Sequence, residues 1–307
     1  MNGVIKIHAN GKLLITGEYL VLAGAKALAL PVRFGQTMQV EESEGKYISW
    51  ESYTFRQQWF EAKFDPTTFH VIHADNHTIA TRLKNLLTAA HGLNPEFPVI
   101  YSGCKVSVSA NYPVEWGLGS SATLIYLVAR WAGVDPYELN RLVAMGSGYD
   151  IACAGKKELL FYRLDNGHAD ISIAHAGQAL CENTWFTYLG NKQDSDGEIR
   201  LFLGDKNFSD KEVAQVSRLS SFICQAAIPD ELISLVDEHE SILGKILKRE
   251  PIALRFPGFP GTVKSLGAWG GDFAMFISAS EPGEVVGFLH QHGFPDVFSF
   301  HELEATR

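Results

Sequence analysis

Several common sequence motifs are absent from this chain, and each absence argues against one class of site or partner. The four cysteines, Cys104, Cys153, Cys181 and Cys224, form no C-x-x-C pair, so the sequence indicates neither a zinc site nor a redox motif. Isolated thiols are typical of a reducing cytoplasm rather than of a disulfide framework. The formal net charge of −9 argues against nucleic-acid binding, because neutralising phosphates needs a basic face.

Long apolar segments are also missing. The first ten residues do not have the pattern of a signal peptide, and Arg130 interrupts the best candidate for a membrane span. Hydrophobic residues make up 46% of the 307 residues and charged residues 20%, which is ordinary for a globular protein with a sizeable core. We therefore expect a cytoplasmic monomer or homodimer that acts on a small-molecule substrate, without nucleic-acid or membrane partners.

Strand and helix patterns are mixed without strict alternation, which favours an α+β fold over a doubly wound sheet. Asp135 and Pro136 predict the start of one helix, as N-cap and first helical residue. Apolar residues at helical spacing predict helices at residues 76–91, 120–131, 136–145, 230–248 and 281–292. Short β-rich segments predict strands at 4–9, 12–16, 36–42, 53–60, 98–109, 158–164, 169–174, 184–190, 273–279 and 297–302. Gly-rich breaks are predicted at 146–148 and 257–271.

The most informative segment is PVEWGLGSSAT at residues 113–123, between a predicted strand and a predicted helix. Gly117 and Gly119 let backbone amides approach an anion, because no Cβ intervenes. Ser120 and Ser121 open the helix, where unpaired amides and the macrodipole favour phosphate and the hydroxyls suit phosphate or Mg²⁺. Taken alone, the pattern is more typical of a Gly-rich turn with a serine N-cap. It is neither a Walker A motif nor a dinucleotide fingerprint.

Three further segments extend the pattern over most of the chain. Residues 11–22 read GKLLITGEYLVL, residues 146–152 read GSGYDIA, and residues 263–273 read VKSLGAWGGDF. In this order they resemble the GKxxxxGEYxVL, GSGxDxA and KxSGAGGGD motifs of the GHMP kinases, and residues 113–122 resemble the family's PxxxGLGSSA motif. The superfamily is named for galactokinase, homoserine kinase, mevalonate kinase and phosphomevalonate kinase. The GEY form is most similar to phosphomevalonate kinases.

The resemblance implies a GHMP kinase fold with two domains. Residues 1–155 would form the ATP-binding domain, like domain 2 of ribosomal protein S5, and residues 156–307 a ferredoxin-like domain. The implied cofactors are ATP, which would lie between the domains, and Mg²⁺. The residues implied in binding ATP phosphates are Pro113, Gly117, Leu118, Gly119, Ser120, Ser121 and Ala122, with Ser121 also a Mg²⁺ ligand.

Two residues are implied in catalysis. By similarity, Lys12 would stabilise negative charge on the acceptor or the transferring phosphoryl group, and Asp150 would be the base near the acceptor oxygen. Without the resemblance, Lys12 would be a surface charge and Asp150 a turn residue. If the acceptor is itself a phosphate, Asp150 would only orient it. The residues implied in acceptor binding are Glu18, Tyr19, Ser147, Gly148, Lys264, Gly267, Gly270, Gly271 and Asp272. For Glu18 and Tyr19, a buried pair that closes a strand hydrogen-bond network is an equal alternative.

The chain departs from the family pattern in the third motif and at the metal. Leu266 stands where the motif has serine and Trp269 where it has glycine, and the bulk of Trp269 is expected to reshape or block the acceptor pocket. Glu138 is the one glutamate near the place of the family's magnesium ligand, displaced by about one residue. It fits a first-turn helix glutamate better. The spacing of His70, His73 and His77 resembles a metal site, but no carboxylate accompanies it, so we expect solvated histidines.

The leading hypothesis is an ATP-dependent kinase acting on mevalonate or phosphomevalonate. A sugar or another small alcohol is the alternative acceptor. A second alternative is a catalytically weak homologue that binds nucleotide and acts as a sensor or partner, which the altered third motif would favour. A decarboxylase of the mevalonate-diphosphate type is less consistent with the GSGYDIA segment.

Overall fold

The computed structural model describes residues 4–98, 103–190, 195–205, 207–267, 269 and 272–305. The chain divides into two compact units that do not follow chain order. The first unit comprises residues 1–11, 34–114 and 118–155, and the second comprises 12–33, 115–117 and 156–307. The last boundary between them falls after Gly155, while two earlier segments group with the second unit.

The first unit is a mixed sheet covered by helices. Two strands, β1 (Ile5–Thr16) and β2 (Ala27–Glu42), contribute residues to both units. The other strands are β3 (Ile48–Thr54), β4 (Gln57–Phe64), β5 (Val71–Ala74) and β6 (Cys104–Ala110). Strand order is β5-β4-β3-β6-β2, with β1 beside β2; β3 and β6 pair in parallel and the other registered pairs are antiparallel. The helices are α1 (His77–Leu93), α2 (Ser120–Ala132), α3 (Pro136–Val143) and α4 (Tyr149–Ala154).

Alternating burial builds the core of this unit. In β6, Val106 and Val108 are buried and Lys105 is exposed, so one face of the sheet packs inward. The helices bury apolar stripes in the same cluster, among them Leu83 and Leu87 of α1 and Leu127 of α2. Side-chain caps start two of these helices: Asn76 caps α1, and Asp135 caps α3 as predicted.

The second unit centres on a four-stranded antiparallel sheet in the order β10-β11-β9-β12. These strands are β9 (Thr184–Tyr188), β10 (Gly261–Leu266), β11 (Phe273–Ser278) and β12 (Val297–Ser299). A hairpin of β7 (Leu160–Asp165) and β8 (His168–Ile173) pairs with the first residues of β2. Its turn, Asn166–Gly167, has positive φ at both residues, as a tight type I′ turn requires. The helices are α5 (Gln178–Glu182), α6 (Ser195–Asp205), α7 (Asp210–Gln225), α8 (Pro229–Leu247), α9 (Pro282–Gln291) and α10 (Phe300–Leu303).

Helix α8 shows the predicted apolar stripe, with Leu232, Val236, His239, Leu243 and Ile246 buried. Pro229 occupies its first turn together with two acidic residues that complement the helix dipole. Glu240 is also buried on this helix, which the apolar pattern did not predict. None of the helices that the structure describes combines the length and hydropathy needed to cross a membrane.

Several of the predicted elements are wrong, among them the strand expected at residues 297–302, in which β12 ends at Ser299 and α10 begins at Phe300. The strand expected at residues 53–60 straddles a turn, because Phe55 and Arg56 both have positive φ and separate β3 from β4. Residues 4–9 and 12–16 form one strand, because the intervening Asn10–Gly11 does not break the ladder. Within the expected Gly-rich loop at 257–271, residues 261–266 form the buried strand β10, paired along its whole length with β11.

Candidate active site

Three of the recognised motifs meet within the second unit at Gly117. The Lys12 ammonium donates to the Gly117 carbonyl oxygen at 3.0 Å. Gly117 has φ of 70°, and a Cβ at this position would lie 2.5–2.9 Å from the carboxyl group of Asp272. Glycine is therefore required here for two reasons, its backbone conformation and the close approach of Asp272. A lysine of the first motif, a glycine of the second and an aspartate of the third are thus neighbours.

The start of α2, in the first unit, keeps the features of an anion site. Gly119 is the N-cap, with left-handed backbone and no side-chain cap, and the first intrahelical bond is that of Thr123 N–H to Gly119 at 2.9 Å. The amides of Ser120, Ser121 and Ala122 therefore make no bond within the helix. Ser121 is exposed, Ser120 and Pro113 are half-buried, and Leu118 is fully buried, so Leu118 anchors the loop in the core.

The hydroxyl of Thr123 holds the first turn of α2 by hydrogen bonds. It donates to Oε1 of the buried Gln36 on β2 at 2.7 Å and also lies within hydrogen-bond distance of the carbonyl oxygens of Gly119 and Ser120. The first turn of α2 is therefore tied to the sheet of its own unit. Gln36 lies outside every recognised motif, and no pattern in the sequence marks it as a partner of Thr123.

Asp150 lies at the start of α4 in the first unit. Its half-buried carboxylate accepts from the Ile151 amide at 3.0 Å. Gly148, with φ of 86°, is the N-cap of the helix, and Ser147 before it is buried. The predicted break at 146–148 is thus a turn that leads into a short helix and sets the direction of Asp150.

Trp116 packs the second motif from inside rather than presenting its ring on the surface. Its ring lies edge-on to Phe273 and Phe298, with centroids 5.8 and 5.7 Å apart, and it also contacts Tyr188. The ring is 9% exposed. Trp116 therefore packs the loop of the second motif against the strands of the second unit.

Glu18 and Lys264 are buried and paired with each other. The Lys264 ammonium donates to Glu18, to Oε1 of Glu240 at 3.1 Å and to the carbonyl oxygen of Ser265 at 3.1 Å. His239 of α8 completes the cluster, with Nε2 3.6 Å from Glu18 Oε2 and Nδ1 3.8 Å from Glu240 Oε1. None of the four side chains is more than 3% exposed. A contact of Glu18 or Lys264 with an acceptor, as the resemblance implies, would need this cluster to open.

Burial and mutual charge shift the pKa values within the cluster in opposite directions. Burial raises the pKa of Glu18 to about 7, although Lys264 acts against that shift. Burial would raise the pKa of Glu240 too, but Lys264 and His239 outweigh it and hold that pKa below its ordinary value. Burial and the Lys264 charge lower the pKa of His239 to about 4. Hence His239 is neutral and Glu240 ionised at neutral pH, while Glu18 titrates there.

Tyr19 and Trp269 connect the first and third motifs. The Trp269 amide donates to the Tyr19 hydroxyl oxygen at 3.3 Å, and burial raises the pKa of that hydroxyl to about 12. The Trp269 indole is 4% exposed and packs against Gly244 of α8, so its bulk is accommodated inside the unit. Arg249 donates to the Trp269 carbonyl oxygen at 3.0 Å and to both carboxylate oxygens of Glu198 on α6.

The remaining predicted residues are the third-motif glycines, Glu138 and the three histidines. Gly267 has φ of 70°, and a Cβ at this position would meet no atom within 4 Å, whereas Gly270 and Gly271 lie outside the described residues. Glu138 is exposed in the first turn of α3, where it complements the helix dipole. His73 lies 3.7 Å from Glu61, and the described residues hold no group of three or more His, Cys, Asp or Glu side chains placed to bind a metal.

Four residues near the motifs were not predicted: Gln36, His239, Glu240 and Arg249. Each acts by contacting a motif residue from a distant part of the chain, and no local pattern marks such a partner. His239 was predicted only as part of the apolar stripe of α8. Glu240, next to that stripe in the sequence, was the one available signal, because a glutamate near an apolar stripe needs a partner if it is buried.

Comparison with known proteins gives the fold. No family model matches the sequence, and no curated protein matches it either. Phosphomevalonate kinase from Streptococcus pneumoniae, solved with phosphomevalonate and AMPPNP, has a TM-score of 0.71 at 15% identity, covering 96% of this chain and 100% of its own. For Methanococcus jannaschii mevalonate kinase the TM-score is 0.70 at 15% identity, covering 97% of each chain. For Lactococcus lactis galactokinase it is 0.67 at 14% identity, covering 98% of this chain and 93% of its own. The chain therefore has the mixed α/β fold of the GHMP kinases, as the motifs implied.

Proposed function

We propose that this chain, which has the fold of the GHMP kinases, transfers the γ-phosphate of ATP to a small acceptor. The observation that carries the proposal is the meeting of Lys12, Gly117 and Asp272, which come from three motifs far apart in the sequence. A fold can be retained without its chemistry. Retention of an ammonium group and a carboxylate around a positive-φ glycine is a stronger indication of function than the fold alone.

The residues present fit ATP and Mg²⁺. The first three amides of α2 are unused within the helix and face no side-chain cap, which suits phosphate oxygens. The Ser121 hydroxyl is exposed at the same helix start and would be one Mg²⁺ ligand; Glu138 is the weaker candidate. Mg²⁺ usually takes one or two protein ligands together with substrate phosphates, so a complete protein cage is not needed. When bound, Mg²⁺ would neutralise charge on the β- and γ-phosphates.

The protein's own groups would act by position and charge. Lys12, fixed by the Gly117 carbonyl, would stabilise the charge that develops on the transferred group. Asp150 would accept the proton of an acceptor hydroxyl, or orient an acceptor that is already a phosphate. Gly148 and the amide of Ile151 set the direction of its carboxylate. Both roles are inferred from the resemblance.

The acceptor that we propose is mevalonate or phosphomevalonate. The GEY form of the first motif supports it, and so does the likeness to kinases of both substrates. Galactokinase has the same fold, so the fold does not distinguish these acceptors from a sugar. We also propose a division after residue 155 into domains of the two implied types. In residues 184–299 three α-helices separate β9 from β10 and one α-helix separates β11 from β12, and the sheet order β10-β11-β9-β12 supports the ferredoxin-like assignment of the second domain.

Measurement of ADP release with ATP, Mg²⁺ and single acceptors tests the function and the acceptor together. We expect turnover with mevalonate or phosphomevalonate to exceed that with galactose, homoserine and other small alcohols by at least about tenfold in kcat/KM. Faster turnover with a sugar would replace the acceptor while leaving the kinase assignment intact. ATP binding without transfer to any acceptor would instead support a nucleotide-binding homologue.

A further inference from the structure

The buried cluster of Glu18, His239, Glu240 and Lys264 takes no direct part in the chemistry proposed above. Its members come from the turn after β1, from α8 and from β10, all within the second unit. Burying two carboxylates and an ammonium group is costly, and apolar side chains of similar volume often stabilise a fold as well or better. Stability alone therefore does not account for these four residues.

The cluster holds the turn of the first motif. The Gly17 amide donates to His239 Nε2 at 3.2 Å, and Glu18 pairs with Lys264. Tyr19, next along the chain, has φ of 60°, which is strained backbone for a bulky L-residue. Such a conformation persists only where the surrounding structure imposes it. The contacts from α8 and β10 supply that restraint.

The same cluster reaches the third motif. Glu240 accepts from the Lys264 ammonium and from the Ser265 amide, the latter at 3.3 Å. Tyr19, at the end of the restrained turn, accepts from the Trp269 amide. Two adjacent residues of α8 thus contact the first motif through His239 and the third motif through Glu240.

We propose that His239 and Glu240 are positioning residues for phosphoryl transfer. They keep the first-motif turn and the third-motif strand at a fixed distance from each other, and they influence the reaction only through Gly17, Glu18 and Lys264. The inference rests on the proposed kinase function. A displacement of about 1 Å far from the reacting atoms is enough to lower a rate about a hundredfold.

The protonation state of the cluster gives the proposal a second measurable property, the pH dependence of kcat. Because His239 Nε2 accepts from Gly17, the neutral ring carries its proton on Nδ1, toward Glu240. Oε2 of Glu18 has no hydrogen-bond partner among the described residues. The titratable groups that face it are Lys264, Glu240 and the neutral His239, so a proton on Glu18 makes the cluster neutral. Replacing Glu240 by a neutral amide removes one negative charge and lets Glu18 ionise at lower pH.

The experiment compares four variants on α8 in the full chain. His239→Leu removes the acceptor of the Gly17 amide, His239→Gln keeps an acceptor oxygen there, and Glu240→Gln removes the second carboxylate. Glu238→Gln makes the same chemical change at the exposed neighbouring residue and is the control. We expect kcat to fall about 10- to 100-fold in His239→Leu and Glu240→Gln, with the KM for ATP within about threefold of wild type. His239→Gln should recover most of the loss, and Glu240→Gln should shift the pH profile of kcat to lower pH.

Hydrogen exchange over residues 14–24 and 261–267 is measured on the same four proteins and requires no turnover. Faster exchange in His239→Leu and Glu240→Gln than in Glu238→Gln supports the proposal. Unchanged exchange or unchanged kcat in both variants overturns it. A loss of kcat that follows thermal stability equally in His239→Leu and His239→Gln, without a change in pH profile, also overturns it. If the wild type transfers phosphate to no acceptor, the proposed function fails, while exchange still decides whether α8 holds the turn.

Discussion

Lys12 is the residue on which the proposed chemistry depends most, because a backbone carbonyl fixes its ammonium group beside the third motif. We expect Lys12→Met and, separately, Asp150→Asn to lower kcat at least about a hundredfold, since phosphoryl transfer depends on positioned charge. Steady-state kinetics with the acceptor found in the ADP-release assay measures this.

Lys6→Met is the matched control for the lysine, because Lys6 lies on the same strand and is exposed. The control should keep wild-type turnover, and all three variants should keep the wild-type melting temperature within about 2 °C. A Lys12→Met or Asp150→Asn protein that turns over at the wild-type rate would exclude that residue from the catalytic set.

The substitution Gly117→Ala tests the close approach of Asp272 to Gly117. An alanine Cβ there would meet the Asp272 carboxyl group at 2.5 Å, whereas one at Gly258, which also has positive φ, would meet nothing within 4 Å. Both substitutions strain the backbone, by about 1 kcal/mol each, but only Gly117→Ala also forces Asp272 to move. We therefore expect a larger loss of stability in urea unfolding, and a loss of kcat, for Gly117→Ala alone. Equal effects of the two substitutions would show that the close approach does not matter.

The buried carboxyl of Glu18 makes stability depend on pH. Its pKa is raised from an ordinary value of 4.5 to about 7. The folded protein therefore retains a proton that the unfolded chain loses, and the stability from this group falls as pH rises from about 4.5 to about 7. Glu18→Gln removes that contribution, so we expect its melting temperature relative to wild type to be higher at pH 8 than at pH 5. His239, whose pKa is lowered, acts in the opposite direction but is present in both proteins. A pH-independent difference would contradict the prediction.

Among the elements, α6 is held by few side chains. Leu201 and Leu203 are 68% and 41% exposed, while Phe202 packs its ring against Tyr19 and Phe208. The Arg249–Glu198 pair is a further anchor, and Arg249 also donates to the carbonyl group of Trp269. Both contacts with Glu198 come from Nη2 of Arg249, and a charge-assisted hydrogen bond is stronger than a neutral one.

We expect Arg249→Gln to increase amide exchange across residues 197–205 and at residues 266–267, because one guanidinium holds both segments. Mass spectrometry of exchanged peptides measures this. Lys248→Gln removes an adjacent, largely exposed ion pair at 3.7 Å and should leave exchange unchanged. Equal exchange in the two variants would mean that Arg249 is a surface residue without a structural role.

Elements with a strong local pattern were predicted well from the sequence. The apolar stripe predicted α8 within a residue at each end, and Asp135 predicted the start of α3. Strand β10 was missed because its glycine-rich surroundings suggest a loop, while its six residues are fixed by pairing with β11. The turn at residues 55–56 was missed because neither Phe nor Arg usually adopts positive φ.

Within the candidate site, residues in recognisable motifs were likewise predicted, and their partners from distant parts of the chain were not. Lys12, Gly117 and Asp272 were found because each lies in a recognisable motif. Gln36, His239, Glu240 and Arg249 were not, because their roles come from contacts between residues from 20 to 222 positions apart. Sequence reasoning also set Glu18 and Lys264 beside the acceptor, whereas the structure buries both, since their charges find partners in each other and in Glu240.

For the whole molecule, a nucleotide that binds only the folded state must raise stability. At ATP–Mg²⁺ concentrations about a hundredfold above Kd, the gain is about 2.7 kcal/mol. We expect the melting temperature to rise by several degrees, and Ser120→Ala together with Ser121→Ala to remove most of the shift. Ser234→Ala, on the exposed side of α8, is the control. An identical shift in the double variant would show that the two hydroxyls do not contribute to nucleotide binding.

The second unit is not continuous in the chain, because residues 12–33 and 115–117 complete it. A fragment that begins at residue 156 would therefore leave out the strand residues that pair with β7, and it would leave the Lys264 ammonium beside Glu240 without Glu18. Cutting the gene at that point would yield two polypeptides, neither carrying its full set of partners. Recombination between relatives of this protein would accordingly have to exchange the N-terminal segment and the C-terminal half together to give a folded product.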